Sequence, residues 1–492
     1  MSFDRSPSGS RASASHSDSS RDSVNKERSP IAPGRWLLPA VAIGIMLAPL
    51  NSTMIAVALP DIQAAFGVSI TATTWLVSIY LVAMASGQPV GGRLGDLYGR
   101  RRVYLFGLAW FAAASVGCAF APNLVSLIVF RAMQALAGAM SFPNGAAMVR
   151  EGVPEARRGA AFGMIGLATG IAAASGPPIG GILISLFGWS SIFWANVPVV
   201  GMAVVLGWIG LPRTTATRPL RARFDVLGTI LFTVALGMAI LIPPFLKVDK
   251  PGLAVLAGVL GAAVACAFVR WERRTASPVV DVRLFARPQF AAACASVGLG
   301  NLVMYTTLLA LPLYLQGVRG HGVQATGFIL VALSVFSAFS GPLGGRWADR
   351  SGRWLPAVSG STAMFAGALL LTIGVVGASL ALIVIALAIM GIGVGVAGAP
   401  VQTVAVESVP LEGAGSAAGI FSTSRYIGSV VGSGVLAAAF AQGSGAELEA
   451  RYVLLFAGLA VAALAGIAAS TRIANRTPAG SLHAALAKGN KT

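Results

Sequence analysis

Charge is what this chain lacks most. Of its 492 residues only 11% are Asp, Glu, Lys or Arg, against about 25% in an ordinary soluble protein. Cysteine and histidine are equally scarce, at three each. Cys118, Cys266 and Cys294 each sit in an apolar run, so they read as small core residues and exclude a disulfide framework. His16, His321 and His483 are scattered, with no zinc or haem spacing, so no metal site is expected. No GxxxxGK[ST] loop occurs, which argues against ATP drive within this chain. No His, Cys or carboxylate cluster falls in the apolar runs, so a membrane enzyme is not expected and no cofactor is implied.

What is present is apolar. Hydrophobic residues make up 56% of the chain, and the mean hydropathy is +0.78. A soluble fold of this length cannot hide so much apolar surface, so the lipid bilayer must be the solvent for most of the chain. A membrane-crossing helix needs about 20 apolar residues. The stretch between the polar ends therefore has room for about 14 such helices, at roughly 30 residues per helix and connection. The apolar runs fall at 36–59, 74–92, 103–121, 124–147, 159–186, 190–211, 225–245, 252–270, 288–316, 325–345, 355–376, 379–404, 414–440 and 451–470. The expected fold class is thus an all-α membrane protein with 14 transmembrane helices.

The net charge of +18 would suggest a polyanionic partner in a soluble protein. Its distribution gives another reason. With the N-terminus inside, 29 of the 35 Lys and Arg fall in cytoplasmic segments, 4 outside and 2 within the membrane. This is the positive-inside bias. It places both termini in the cytoplasm and removes the need for a nucleic-acid partner. Residues 1–35, rich in Ser and mixed charge, read as a disordered cytoplasmic tail without the apolar core of a signal peptide. Residues 471–492 read as a second, basic tail.

Two landmarks recur in the same order. GGRLGDLYGRR from Gly91 is echoed by GGRWADRSGRW from Gly344, 253 residues later. EGVP from Glu151 is echoed by ESVP from Glu407, 256 residues later, and each is followed by a glycine pair, Gly159/Gly163 and Gly415/Gly419. This predicts a duplicated six-helix unit: an N-terminal bundle over 36–211 and a C-terminal bundle over 288–470. Two additional helices with basic loops lie between them, over 212–287. Repeats of this kind place a substrate near the midplane between the halves.

These residues resemble the major facilitator superfamily, specifically its fourteen-helix drug:proton antiporter branch, over nearly the whole chain outside the tails. The clearest match is the loop carrying Gly92, Asp96, Gly99, Arg100 and Arg101, echoed by Gly345, Asp349, Gly352 and Arg353. Glycines permit a tight turn between helices. An aspartate there can cap a neighbouring helix, and the arginines can pair with acids such as Glu151 and Glu407. The resemblance implies a latch that closes the cytoplasmic side and releases during transport. Gly170, Gly176, Pro177, Pro178, Gly180 and Gly181 are similar to the superfamily's antiporter signature. The glycines four apart admit a neighbouring helix closely, and the prolines should bend their own helix.

Arg131 and Gln134 resemble the family's buried-arginine signature. An arginine at mid-membrane costs at least ~2.5–3.5 kcal/mol, so it is a functional candidate on that ground too. Arg425, with Ser422, is the other intramembrane cation. Asn51 and Thr53 lie in a segment similar to the branch, but the family typically has Asp where this chain has Asn51. None of the 17 acidic residues falls at mid-membrane. With Asn301, Tyr305 and Gln402, these residues form the expected substrate cavity. The resemblance implies a multi-pass plasma-membrane protein, as in a bacterial inner membrane. It would export hydrophobic or amphiphilic small molecules by alternating access, with protons as the coupling ion. Uptake of a small metabolite, or a non-transporting sensor or scaffold, are the alternatives. The absent carboxylate argues for neutral or anionic amphiphiles over cationic dyes.

Overall fold

The computed structural model describes residue 1 and residues 36–68, 70–212, 225–247, 251–275, 278–377, 379–439 and 447–474. Both tails expected from the sequence lie almost wholly outside these residues. All regular structure among the described residues is helical. In chain order the α-helices are α1 (Leu37–Phe66), α2 (Ile70–Tyr98), α3 (Arg100–Ala119), α4 (Leu124–Ala139), α5 (Ser141–Gly152), α6 (Arg158–Phe187), α7 (Ser191–Trp194) and α8 (Asn196–Gly210). They continue with α9 (Val226–Lys247), α10 (Pro251–Arg274), α11 (Pro288–Gly317), α12 (Val323–Ser351), α13 (Trp354–Val376), α14 (Leu380–Glu407), α15 (Ala414–Ala439) and α16 (Glu447–Ser470). Eleven helical stretches among the described residues are long and apolar enough to cross a membrane. Large apolar side chains such as Phe106, Phe328 and Leu454 point outward, where lipid rather than water satisfies them. Cys118 and Cys294 are buried, but Cys266 is exposed on α10, against the expectation of a core position.

Two apolar runs that read as continuous are each broken once. Run 124–147 divides at Met140, and run 190–211 at Ala195. Each break has a proline three residues on, Pro143 and Pro198. A proline lacks the N–H for the carbonyl four residues back and crowds it. At the first break the chain tightens, with the Met140 N–H reaching the Ala137 carbonyl at 3.2 Å. Asn144 then donates to the Met140 carbonyl at 2.8 Å and to the Gly91 carbonyl of α2 at 2.9 Å, tying the kink to its neighbour.

The two loops singled out as repeats turn on glycines that only glycine fits well. Gly99 has φ +95° and Gly352 φ +84°, a region that L side chains rarely adopt. They join α2 to α3 and α12 to α13. Helix α6 packs on α1 and α12, while α2 packs on α15, so the two repeats meet along two helix pairs. The α9–α10 hairpin leans on α2 and α15 through α9. One apolar core gathers α1, α3, α5, α6 and α8, with Ala399, Val406, Ala414 and Ala418 from the other repeat. A second gathers α11 to α14 and α16.

Candidate functional site

The meeting of the repeats is closest at one end. That end carries the arginine-rich turns, and small residues let backbones touch there. A Cβ on Gly163 would lie 2.6 Å from the Gly341 carbonyl oxygen, and one on Gly415 2.7 Å from that of Gly92. Glycine is required at both for the helices to meet.

Two carboxylates clamp this contact. Asp96, at the end of α2, is 1% exposed. It accepts hydrogen bonds from Gly415 N at 3.3 Å and from Ser416 N at 3.0 Å and Oγ at 3.2 Å, at the start of α15. Asp349, at the end of α12, accepts from Gly159 N and Ala160 N at the start of α6, both at 2.8 Å. Each carboxylate therefore caps the N-terminus of a helix in the other repeat, where unpaired N–H groups and the helix dipole favour negative charge. The arginines complete the ring. Arg100 pairs with Asp96 at 3.1 Å and with Glu151, and donates to the Leu411 carbonyl at 2.6 Å. Arg158 pairs with Glu407 at 2.8 Å, and Arg353 pairs with the same carboxylate. Thus Gly92, Asp96, Gly99, Arg100, Glu151, Asp349, Arg353 and Glu407 come together at one end. Arg101 donates to the Trp208 carbonyl at 2.7 Å and stacks on that indole. Arg158 and Ser416 escaped the sequence reading. Their positions next to Gly159 and Gly415, the recurring glycines, were the available signal.

Past this clamp a cavity of about 470 Å³ opens between the repeats. Its walls come from α1, α2, α4, α5, α6 and from α11 to α15. Gln88, Gly163 and Gly341 line it on the clamp side. Of the expected cavity residues, Thr53, Asn301, Tyr305, Gln402 and Arg425 line it. Asn301 is oriented by donating to the Arg425 carbonyl at 3.1 Å and to Ser429 Oγ at 2.6 Å. The wall also holds Tyr80, Phe142, Tyr426 and Gln88, which sequence reasoning passed over because aromatic and amide residues in apolar helices carry no distinguishing spacing.

Asn51, Arg131, Gln134 and Ser422 are not among the lining residues. Arg131 is 0% exposed. Its Nη1 donates to Gln134 Oε1 at 2.7 Å and to Asn51 Oδ1, and Gln134 donates to Ser115 Oγ at 2.6 Å. The guanidinium stacks 4.2 Å from the Tyr80 ring centroid, so Tyr80 stands between Arg131 and the cavity. Nε and Nη2 of Arg131 and Nδ2 of Asn51 find no partner among the described residues. An acid at position 51 would supply the missing countercharge, and this chain has an amide there. Ser422 is buried and accepts from Arg425 Nη2 at 2.9 Å.

The antiporter-like segment lies in α6. The helix runs on through Pro177 and Pro178, which remove the usual donors for the Ala173 and Ala174 carbonyls. Gly176 faces Thr53, Gly170 faces Ala338 and Gly180 faces Met54, while a Cβ on Gly181 would meet open space. These glycines therefore seat α6 against both α1 and α12. No group of three or more His, Cys, Asp or Glu able to hold a metal occurs among the described residues.

Two halves clamped at one end around a cavity is also a family's architecture. The sequence profile of the Major Facilitator Superfamily matches residues 41–433. The chain belongs to that superfamily. It is 36% identical over 405 residues to the uncharacterized MFS-type transporter YvkA of Bacillus subtilis, covering 81% of this chain and 89% of that protein. It is 34% identical to the multidrug resistance protein Stp of Mycobacterium tuberculosis, over 84% of this chain and 77% of Stp. It is 31% identical to the tetracenomycin C resistance and export protein of Streptomyces glaucescens, over 81% and 74%. Among solved structures, the human organic anion transporter MFSD10 (TETRAN) superposes with a TM-score of 0.66 at 16% identity, over 89% of this chain and 99% of that one. At that identity the likeness concerns the fold. The chain is thus a multi-pass membrane transporter.

Proposed function

We propose that this transporter is a secondary-active exporter of hydrophobic or amphiphilic small molecules. Fourteen helices cross the membrane, with α4–α5 and α7–α8 each forming one crossing. The bundles 36–211 and 288–470 rock about the cavity, the hairpin of 212–287 rides beside them, and both termini are cytoplasmic. The observation that carries the reading is a largely apolar cavity shared by both repeats and clamped at one end by two equivalent carboxylate caps. In this orientation the clamped end is cytoplasmic, and the clamped state would offer the cavity to the outside. Export is favoured by the relatives, two of which bear names for resistance or export.

Release of the clamp would expose the cavity to the cytoplasm, and its re-formation would expel the cargo. A two-state interface of this kind is discrete because packed helix contacts are not continuously deformable. Protons are the proposed coupling ion. Among the described residues no carboxylate lines the cavity, so coupling would run through carboxylates outside it, those of the clamp among them. The test uses inside-out vesicles containing the purified full chain. An imposed inside-acid pH gradient should drive accumulation of an amphiphilic dye, and a protonophore should abolish it. Accumulation that persists without the gradient would refute proton coupling. Uptake into right-side-out vesicles with none into inside-out ones would refute export.

A further inference from the structure

The cavity wall is chemically one-sided. Among the described lining residues, Arg425 is the one charged side chain. Neither Arg425 nor Arg131 behind Tyr80 takes part in an ion pair among the described residues. The Arg425 guanidinium lies 4.8 Å from the Phe142 ring centroid and 5.8 Å from that of Tyr426. Ser422 Oγ, at 2.9 Å, is the one acceptor its N–H groups reach among the described residues. Two rings and one hydroxyl contact the fork, and its remaining donors have no acceptor among the described residues. An arginine held this way is prepared for a planar anionic group.

Two amides in the same wall repeat the pattern from both halves. Gln88 of α2 is 1% exposed, and both carboxamide atoms lack a partner. Gln402 of α14 has an unpartnered Nε2. Buried donors without acceptors are costly. A ligand acceptor that reaches them recovers that cost, whereas a ligand without one leaves it in place, and such sites discriminate strongly. A cation would meet the like charge of Arg425 with no carboxylate to receive it. At about 8 Å from Arg425 the repulsion is on the order of a thirtyfold loss in affinity.

We infer that the cargo class this cavity selects is the aromatic organic anion, a ring system bearing a carboxylate or ionised phenol, with Arg425 as the residue that holds the anionic group. The inference rests on the export reading above for the direction of travel. Tyr80, Phe142, Tyr305 and Tyr426 line the space for the ring system, and Gln88 and Gln402 supply additional donors.

The test compares two dyes on one xanthene scaffold, anionic fluorescein and cationic rhodamine 123. Binding to the purified full chain is read by fluorescence polarisation. The unmodified chain should bind fluorescein about thirtyfold more tightly or better. Arg425→Gln should weaken fluorescein by roughly 10- to 100-fold while leaving rhodamine 123 no weaker. Equal or tighter binding of rhodamine 123 by the unmodified chain overturns the inference, as does failure to bind fluorescein. Equal weakening of both dyes by Arg425→Gln assigns the arginine a structural role and overturns it too. The two-dye comparison needs no variant, so a misfolded mutant does not rescue the idea. Efflux of the same dyes from energised cells separates the two readings. Preferential fluorescein binding without efflux defeats export alone, whereas rhodamine 123 efflux with weak fluorescein binding defeats the cargo assignment alone.

Discussion

A single methyl group at Gly415 should unlock the clamp. An alanine Cβ there would lie 2.7 Å from the Gly92 carbonyl oxygen and 2.7 Å from Asp96 Oδ1. Even weak carbon–oxygen contacts need about 3.3 Å, so α2 and α15 must part by about 0.6 Å at this point. The Gly415 and Ser416 N–H bonds to Asp96 begin at 3.3 and 3.0 Å, and the same displacement carries both past effective hydrogen-bond length. Overpacking costs about 1–3 kcal/mol, and one lost bond to a charged group about 1.5–3 kcal/mol. A total of at least about 3 kcal/mol shifts the equilibrium by about 150-fold or more. From an even balance, the clamped population falls from a half to about one per cent. Alanine favours helix over glycine by about 1 kcal/mol, so the loss cannot come from a weakened α15.

The assay is labelling of one cysteine at Thr169, in the cavity wall, with Cys118, Cys266 and Cys294 replaced. A membrane-impermeant maleimide is added from the side opposite the clamp. Gly415→Ala should slow labelling more than tenfold if the parent starts near an even balance. Gly413→Ala, where a Cβ meets open space, should label like the parent. Unchanged labelling in a well-folded Gly415→Ala protein would refute the idea that this contact holds the clamped state.

Asp96→Asn keeps the shape but puts an NH2 donor among backbone donors, so transport should fall at least tenfold while membrane insertion, followed by fractionation, stays normal. Normal efflux would remove Asp96 from the clamp. Arg131→Ala should abolish transport and Arg131→Lys retain at most part of it, because lysine loses the planar fork that meets Asn51, Gln134 and Tyr80; wild-type rates in the alanine variant would refute a required role. Asn51→Asp gives the buried guanidinium a countercharge and should raise the melting temperature, since an uncompensated buried charge costs about 3–5 kcal/mol; a lower melting temperature by scanning fluorimetry would refute the pairing. Reporter fusions at Thr215 and Ser277 should read as cytoplasmic and one at Asp249 as external; a cytoplasmic Asp249 would overturn the fourteen-crossing topology.

Much of this molecule is local information. Apolar run length sets the helices, because each crossing must satisfy its own backbone in lipid. The recurrence of Asp96 and Asp349 between glycines marked two turns that behave alike, since both depend on positive φ at the following glycine. Proline breaks at Met140 and Ala195 were readable in principle from Pro143 and Pro198, but hydropathy alone runs smoothly across them. What sequence could not decide was which surface of each helix turns toward which neighbour. Asp96 caps a helix 319 residues away, and no local pattern specifies that partner. The two arginines within apolar runs, Arg131 and Arg425, carry the same hydropathic signal, yet one lies sealed behind Tyr80 and the other stands in the cavity wall. That difference arises from the packing of α2 against α4 and α15 against α5, where a rotation of part of a turn exchanges burial for exposure. The chain's own residues therefore determined that it is a helical membrane protein with two recurring arginine-rich turns, while only the assembled helices decided which of its two buried cations can meet a ligand.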